Sequence, residues 1–231
     1  MPAIAVVNRK GGSGKSTLST NIAAWCAHQG WQVMLGDSDR QQSMRTWLQR
    51  RSPALPHITS WMVDNSKMFR APRGTTHVVL DTPGALHGYE LAKLLVQVKA
   101  IVVPVGPSLF DREASRPFIR ELLNHPRVSS GKCRMAVVGM RWPTGALDGW
   151  RRGSEEVWGQ SLLTVIPDDP RYSALLDSGA SIFDDRPAPT PQDWEHWAPL
   201  MQWLSKFWCD VQAQAAAPVT RACHPQMDTV N

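Results

Sequence analysis

The chain has 231 residues, 42% of them apolar and 19% charged, with 25 Lys and Arg against 20 Asp and Glu for a net charge of +5 and a pI near 9.3. That length buries a full core in one domain of ordinary size, the balance is that of a globular protein, and no stretch approaches the length of a membrane-spanning helix. The arginine-rich basic surplus permits an anionic partner such as nucleic acid without requiring one. Cys26, Cys133, Cys209 and Cys223 are far apart and share no metal-ligand spacing with the seven histidines, so neither a disulfide framework nor a zinc site is supported. The apolar run at the start is too short for a signal segment and is read as part of the fold, which sets the cytosol as the expected compartment.

In chain order, the apolar run Ala3–Val7 predicts a short strand, and it leads directly into Lys10-Gly11-Gly12-Ser13-Gly14-Lys15-Ser16-Thr17. A strand that enters a glycine-rich turn ending in Lys-Ser-Thr is a phosphate cradle. Small residues let successive backbone N–H groups point at anionic oxygens, the following helix adds its positive end, Lys15 reaches the β/γ-phosphates, and the Ser16 hydroxyl suits Mg²⁺. The usual spacing asks for glycine where Arg9 stands, and an extra lysine, Lys10, sits at the mouth of the loop. Thr17–Gln29 then places Leu18, Ile22, Ala23 and Cys26 at helical spacing, with Gly30 as its stop.

A second strand, Val33–Leu35, ends in Asp37-Ser38-Asp39-Arg40-Gln41-Gln42-Ser43. Alternation sends Asp37 and Asp39 to the same side. Two carboxylates beside a triphosphate make sense where Mg²⁺ and lysines neutralise them and one positions the attacking water. Asp39 equally suits the N-cap of a helix holding Met44, Trp47 and Leu48. A third strand, Val78–Leu80, ends in Asp81-Thr82-Pro83-Gly84, where an aspartate can hold a Mg²⁺-bound water and the turn can sense a γ-phosphate. Further strands are expected at Ile101–Val105, Met135–Val138 and Leu162–Ile166. Apolar runs without clean alternation are strands buried on both faces, and strands alternating with helices predict an α/β fold: a doubly wound, mostly parallel sheet flanked by helices, with ligands beyond the carboxyl ends of the strands.

Arg112, Arg116 and Arg120 repeat at i, i+4 and i+8, and with Arg151, Arg152 and Arg171 they are either solvated positions or a DNA-facing set. After Pro191, a helix carrying Trp194, Trp197, Trp203 and Trp208 with Leu200, Met201, Leu204 and Phe207 either packs on the sheet or offers a partner surface. Its acidic residues Asp193, Glu195 and Asp210 offset Lys206 and argue against a membrane-targeting helix. The domain is expected to span 1–211, with 212–231, rich in Ala, Pro and Thr, as a disordered tail. No internal repeat is evident, and no separate DNA-binding domain is expected before the first strand.

The phosphate loop, Asp37-x-Asp39-x-Gln41 with Ser43 and Trp47, Leu80-Asp81, and Val103-Pro104-Val105-Gly106-Pro107-Ser108 occur in this order. Together they resemble the ParA/MinD branch of P-loop ATPases with a deviant Walker A loop, above all its short ParF-type members. Ile166-Pro167-Asp168-Asp169-Pro170-Arg171 and Leu175 to Phe183 extend the resemblance to about residue 187. The resemblance implies an ATPase with weak intrinsic, partner-stimulated turnover that dimerises around two ATP–Mg²⁺ molecules. It implies that Lys10 crosses the dimer to the partner's phosphates, that Gly11, Gly12, Ser13, Gly14, Lys15, Ser16 and Thr17 cradle the nucleotide in cis, and that Pro167 and Asp168 border it. Ser16, Asp39 and Asp81 would serve the Mg²⁺, with Asp39 also positioning water. It further implies a homodimer that binds DNA non-specifically through Arg112, Arg116, Arg120 and Arg171, works with a ParB-like or other adaptor protein on the nucleoid, and segregates a plasmid, chromosomal or protein cargo. A MinD-like membrane-cycling ATPase and a non-hydrolysing nucleotide-dependent adaptor are the alternatives. Arg40 stands where the family usually has proline, and Met140-Arg141 where many relatives have Asn-Arg.

Overall fold

The computed structural model describes residues 3–38, 43–62, 74–84, 86–143, 160–185 and 189–216. Seven parallel strands form one sheet in the order β3-β2-β4-β1-β5-β6-β7. They are β1 Ala3–Val6, β2 Val33–Asp37, β3 Thr59–Met62, β4 His77–Asp81, β5 Ala100–Val105, β6 Arg134–Trp142 and β7 Thr164–Pro167. The helices are α1 Lys15–His28, α2 Ser43–Arg50, α3 Gly88–Gln97, α4 Leu109–Asn124, α5 Pro126–Ser129, α6 Arg171–Asp177 and α7 Pro191–Ala216. The doubly wound reading therefore holds, with one strand added. Thr59–Met62 closes the sheet at an edge, and its polar Thr59 and Ser60 hid it from a search for apolar runs.

The period-2 alternation of each strand splits the core in two. Ile4 and Val6 face one layer with α1, α2, α6 and α7, while Ala3, Ala5 and Val7 face the other with α3, α4 and α5. Winding reverses at β1: the chain runs outward to β2 and β3, returns through β4 to lie beside β1, then crosses to β5 on the other side. A crevice therefore opens at the carboxyl end of β1. Pro104 is tolerated inside β5 because the β1–β5 ladder has already ended at Val6 and Val102. At that height the Pro104 carbonyl accepts instead from the Asn8 side chain at 2.7 Å.

Most of α1 is buried, including Ser19, Thr20 and Asn21, since it lies between the sheet and the other helices of its layer. α7 packs Trp197, Leu200, Met201, Leu204, Phe207 and Trp208 into the same core, which makes its tryptophans mainly sheet-packing residues; Trp194 remains 39% exposed. This helix runs to Ala216, past the expected end of the domain at residue 211, because its apolar face stays seated as far as Val211. Residues 217–231 of the expected tail lie outside the described set. Trp208 closes an aromatic group at the amino ends of the strands, where Trp31 stacks on His77 at 4.1 Å and Trp208 meets His77 edge-on at 4.9 Å.

His77 is buried, its Nδ1 pairs with the Thr76 hydroxyl at 2.7 Å, and its Nε2 has no hydrogen-bond partner among the described residues. Burial pushes its pKa down from 6.5 to about 4. The unfolded chain then binds a proton that the folded chain refuses, so the contribution of this group to stability falls as pH drops from 6.5 toward 4. His77→Phe keeps the ring stack and should remove that contribution, about 1–3 kcal/mol. Chemical denaturation at pH 7 and 4.5 should read this as a smaller loss of stability at the lower pH in the variant than in the parent.

Candidate functional site

The loop after β1 is fixed before its glycines begin. The Val7 N–H still reaches the Val102 carbonyl at 3.0 Å. Asn8 then donates to Pro104 and, at 3.1 Å, to the Ser115 hydroxyl, while its Oδ1 accepts from the Lys10 N–H at 3.0 Å. Arg9 forms a two-pronged ion pair with Glu121 of α4 at 2.6 and 2.9 Å and donates through Nε to the Leu86 carbonyl at 2.7 Å. Its guanidinium also lies over the Phe118 ring at 4.7 Å. Hydrogen bonding to Arg9 holds the Glu121 carboxyl below its usual range. An arginine where glycine is usual thus ties the loop to α4 and to the turn after β4, and points its charge away from the loop's mouth.

Gly12 and Gly14 take φ of +68° and +96°, conformations that side chains with a Cβ rarely adopt. Gly14 directly precedes α1, and no side chain caps that helix, so its first N–H groups remain available to an anion. The Ser13 hydroxyl is buried with no hydrogen-bond partner among the described residues. Uncapped N–H groups, an orphaned hydroxyl and Lys15 within one turn fit a phosphate chain. The Lys15 ammonium lies 3.5 Å from the Lys10 carbonyl, and a side chain at Gly84 would meet it at 3.8 Å and the Arg9 carbonyl at 3.3 Å. The turn after β4 therefore lies against the ammonium.

Asp81 ends β4 beneath the loop. It accepts from the Ser16 hydroxyl at 2.8 Å and from the Ser19 hydroxyl at 3.1 Å, and Asp37 lies beside it in register on β2. Burial raises its pKa to about 6, with Asp37 adding to the rise and the two serines and Lys15 opposing it. The Ser16 hydroxyl with Asp81 behind it would suit a Mg²⁺, with Ser16 and Asp81 as the residues that would hold it. When bound, the ion would offset phosphate charge. Asp37 accepts from the Met44 N–H at 3.0 Å and so anchors the first turn of α2. Asp39 and Arg40 lie outside the described residues, as do Arg151 and Arg152.

At the neighbouring strand ends, the Asp168 N–H donates to the Trp142 carbonyl at 3.0 Å, which brings Pro167 and Asp168 beside the end of β6. A bulge there sets Arg141 at φ +58°. Met140 packs under Gly14, so the residue standing where many relatives have asparagine supports the phosphate loop from below. Lys10 lies 3.8 Å from Asp111 at the start of α4, with its side chain 37% exposed. Arg112, Arg116 and Arg120 do lie on one helix, where Arg116 pairs with Glu113 at 2.9 Å. Arg171 is different: Asp169 at 2.8 Å, Asp193 at 2.6 Å and Asp185 at 3.9 Å surround it. Asp193 and Asp169 raise its pKa further, and the ion pairs make it a tie between the end of β7 and α7.

Sequence reasoning noted Arg9 only as a departure from glycine, without its role, and passed over Ser19 and Asp111. Ser19 had a signal, lying three residues after Ser16 on the same helix face. Asp111 had one too, since Ser108 and Asp111 form an N-terminal cap, with the Ser108 hydroxyl 2.7 Å from the carboxylate. The Arg9–Glu121 pair spans 112 positions and had none.

A family profile described as the CobQ/CobB/MinD/ParA nucleotide binding domain matches residues 4–182. The chain is 34% identical over 189 residues to the maintenance of carboxysome distribution protein A of Halothiobacillus neapolitanus, covering 78% of this chain and 86% of that protein. Among solved structures, apo McdA of Cyanothece superposes with a TM-score of 0.64 at 15% identity, over 88% of this chain and 99% of that one. A plasmid partition protein of Borrelia burgdorferi bound to AMPPNP superposes with a TM-score of 0.63 at 14% identity, over 89% and 99%. At such identities the solved structures speak for the fold.

The ionised form of Asp81 is disfavoured in the folded chain, which binds a proton there more readily than the unfolded chain does. The contribution of Asp81 to stability without ligand should therefore rise as pH falls from above 6 toward 4, opposing that of His77. Asp81→Asn should stabilise the ligand-free chain at pH 7.5 by about 1–3 kcal/mol and flatten this dependence. The same substitution should shrink the stabilisation given by ADP with Mg²⁺, read as the shift in unfolding temperature with and without the pair.

Proposed function

Because the chain belongs to the CobQ/CobB/MinD/ParA nucleotide-binding family, we propose that it is a positioning ATPase whose ATP-bound dimer is released by hydrolysis. The observation that carries this reading is Lys10. It stands at the mouth of a loop already supplied with Lys15, and its ammonium is partly exposed beside Asp111. A second lysine there has no task on the chain's own phosphates, but it can reach those of a second copy. Leu109 and Phe110, 59% and 79% exposed, lie beside Asp111 and give the same face an apolar rim suited to such a copy.

In this cycle Lys15 and the first N–H groups of α1 hold the β- and γ-phosphates. Ser16, with Asp81 behind it, fixes the geometry of the ion. Asp39 orients the attacking water, Lys10 of the second copy offsets charge on the leaving phosphate, and Pro167 and Asp168 border the nucleoside. The dimer then holds nucleoid DNA non-specifically, with Arg112 and Arg120 as the cations available on α4, while an adaptor protein stimulates turnover. The kinship with a carboxysome distribution protein favours a large protein assembly as the cargo over a plasmid.

The two lysines test the cycle. Lys15→Ala should cost nucleotide affinity itself, since a charge-assisted contact is lost. Lys10→Ala should leave nucleotide binding by the monomer intact and lower turnover on the order of 10²-fold, with ATP-dependent dimerisation weakened. Fluorescent-nucleotide titration, phosphate release and light scattering read these three quantities. Parent-like turnover and dimerisation in Lys10→Ala would sink the reading. A gel shift with random duplex should show binding with ATP, little with ADP, and steep weakening with salt.

A further inference from the structure

The end of the sheet opposite the phosphate loop carries a cavity of about 280 Å³ lined by Lys99, Arg127, Lys132, Arg134, Phe207 and Val211. Four cations converge on it from three places: Lys99 immediately before β5, Arg127 on α5, and Lys132 and Arg134 around the start of β6. Among the described residues, only Arg134 has a carboxylate partner, Asp210 of α7 at 2.7 Å. Lys99, Arg127 and Lys132 have none among the described residues, and the Arg127 Nε is buried without a hydrogen-bond partner. Three uncompensated positive charges in one hollow repel each other unless an anion joins them.

The backbone is shaped to hold them. After α5 the chain reverses through Gly131 at φ +70°, and the Cys133 N–H returns to the Arg127 carbonyl at 2.7 Å. This brings Lys132 and Arg134 to the same hollow as Arg127. The Arg134 N–H in turn donates to the Lys99 carbonyl at 2.9 Å, which fixes the fourth cation beside them. Phe207 and Val211 supply a small apolar wall to a hollow that is otherwise polar and cationic.

We propose that this cavity binds a phosphate group borne on an organic body, at a site distinct from the phosphate loop. A dianion matches three free cations better than a single carboxylate does, and an arginine fork suits phosphate oxygens. The apolar wall suits the body that carries the phosphate, and the volume admits one such group. β5, six residues long, separates this hollow from the nucleotide end by about 20 Å, so both sites can be filled at once. The phosphate can belong to a small phosphorylated metabolite or to a nucleic-acid backbone.

The test titrates inorganic phosphate calorimetrically at low salt into the full chain with ADP and Mg²⁺ saturating the loop. The parent should bind. Lys99→Gln combined with Lys132→Gln, both exposed positions, should weaken binding by at least about tenfold, with unfolding temperature and ADP affinity unchanged. Lys99→Arg with Lys132→Arg should retain it. Equal phosphate affinity in the parent and the Gln pair, or no binding by the parent, overturns the proposal while leaving the ATPase reading untouched. A random duplex added to the phosphate-bound parent, with a non-hydrolysable ATP analogue and Mg²⁺ replacing ADP in the loop, separates the two sources. Displacement of phosphate, together with weaker duplex binding by the Gln pair, assigns the backbone of a nucleic acid. Retention of phosphate assigns a small phosphorylated metabolite.

Discussion

A carboxylate buried at the end of β4 and gripped by two serine hydroxyls of α1 fixes the geometry on which the phosphate site depends. Asp81 and Ser16 are 65 positions apart, and the bond between them requires β4 to lie next to β1 and α1 to present Ser16 and Ser19 on the sheet side. One residue of slip along α1 turns its face by about 100° and carries both hydroxyls away. The same carboxylate is costly to bury, which is why its pKa is pushed up to about 6. The fold accepts that cost where a cation and a phosphate chain are received, a common bargain at binding sites.

The loop itself combines a rigid base with an exposed tip. Asn8 and Arg9 fasten its start to β5, α4 and the turn after β4, and Met140 supports Gly14 from below. Backbone donors are thereby set before any anion arrives, which lowers the ordering cost of binding. Lys10 is the exception: its side chain extends outward to Asp111. A fixed cradle and a lysine that reaches beyond it are two different devices, although they are adjacent in the chain.

Behind the cradle, α1 is locked from its far end. Asp184 accepts both prongs of Arg51 at 2.7 and 2.9 Å and pairs with His28 at 2.8 Å. Burial works to raise the Asp184 carboxyl, yet Arg51, Ser181 and His28 together bring it below its ordinary value. The Arg51–Asp184 pair is almost wholly buried, so loss of either partner would strand a charge. Asn21 adds a bond to the Ile182 N–H at 2.9 Å, and Trp47 donates to the Ala180 carbonyl at 3.1 Å. The segment after α6 thus connects α1, which follows the glycine loop, with α2, which Asp37 anchors.

Local chemistry alone determined the phosphate loop, its helix and most of the sheet, because glycines with φ above zero, a strand-to-helix switch and apolar runs each leave a mark within a few residues. The loop residues, Lys15, and Ser16 and Asp81 as separate Mg²⁺ candidates were legible in that way. The tryptophan-bearing α7 stayed open between packing on the sheet and offering a partner surface until its burial in the core decided it. The edge strand Thr59–Met62 was not legible, since an edge needs little apolar surface to pair on one side. Nor were the Arg9–Glu121 and Arg51–Asp184 pairs, whose partners are 112 and 133 positions apart. Arg171 shows the limit most directly. As a sequence position it is one more cation, and only the return of α7 beside β7 brings Asp193 to within 2.6 Å and assigns it to the scaffold. Long-range ion pairs depend on which elements the topology brings together, and that is decided by burial of the two core faces as a whole.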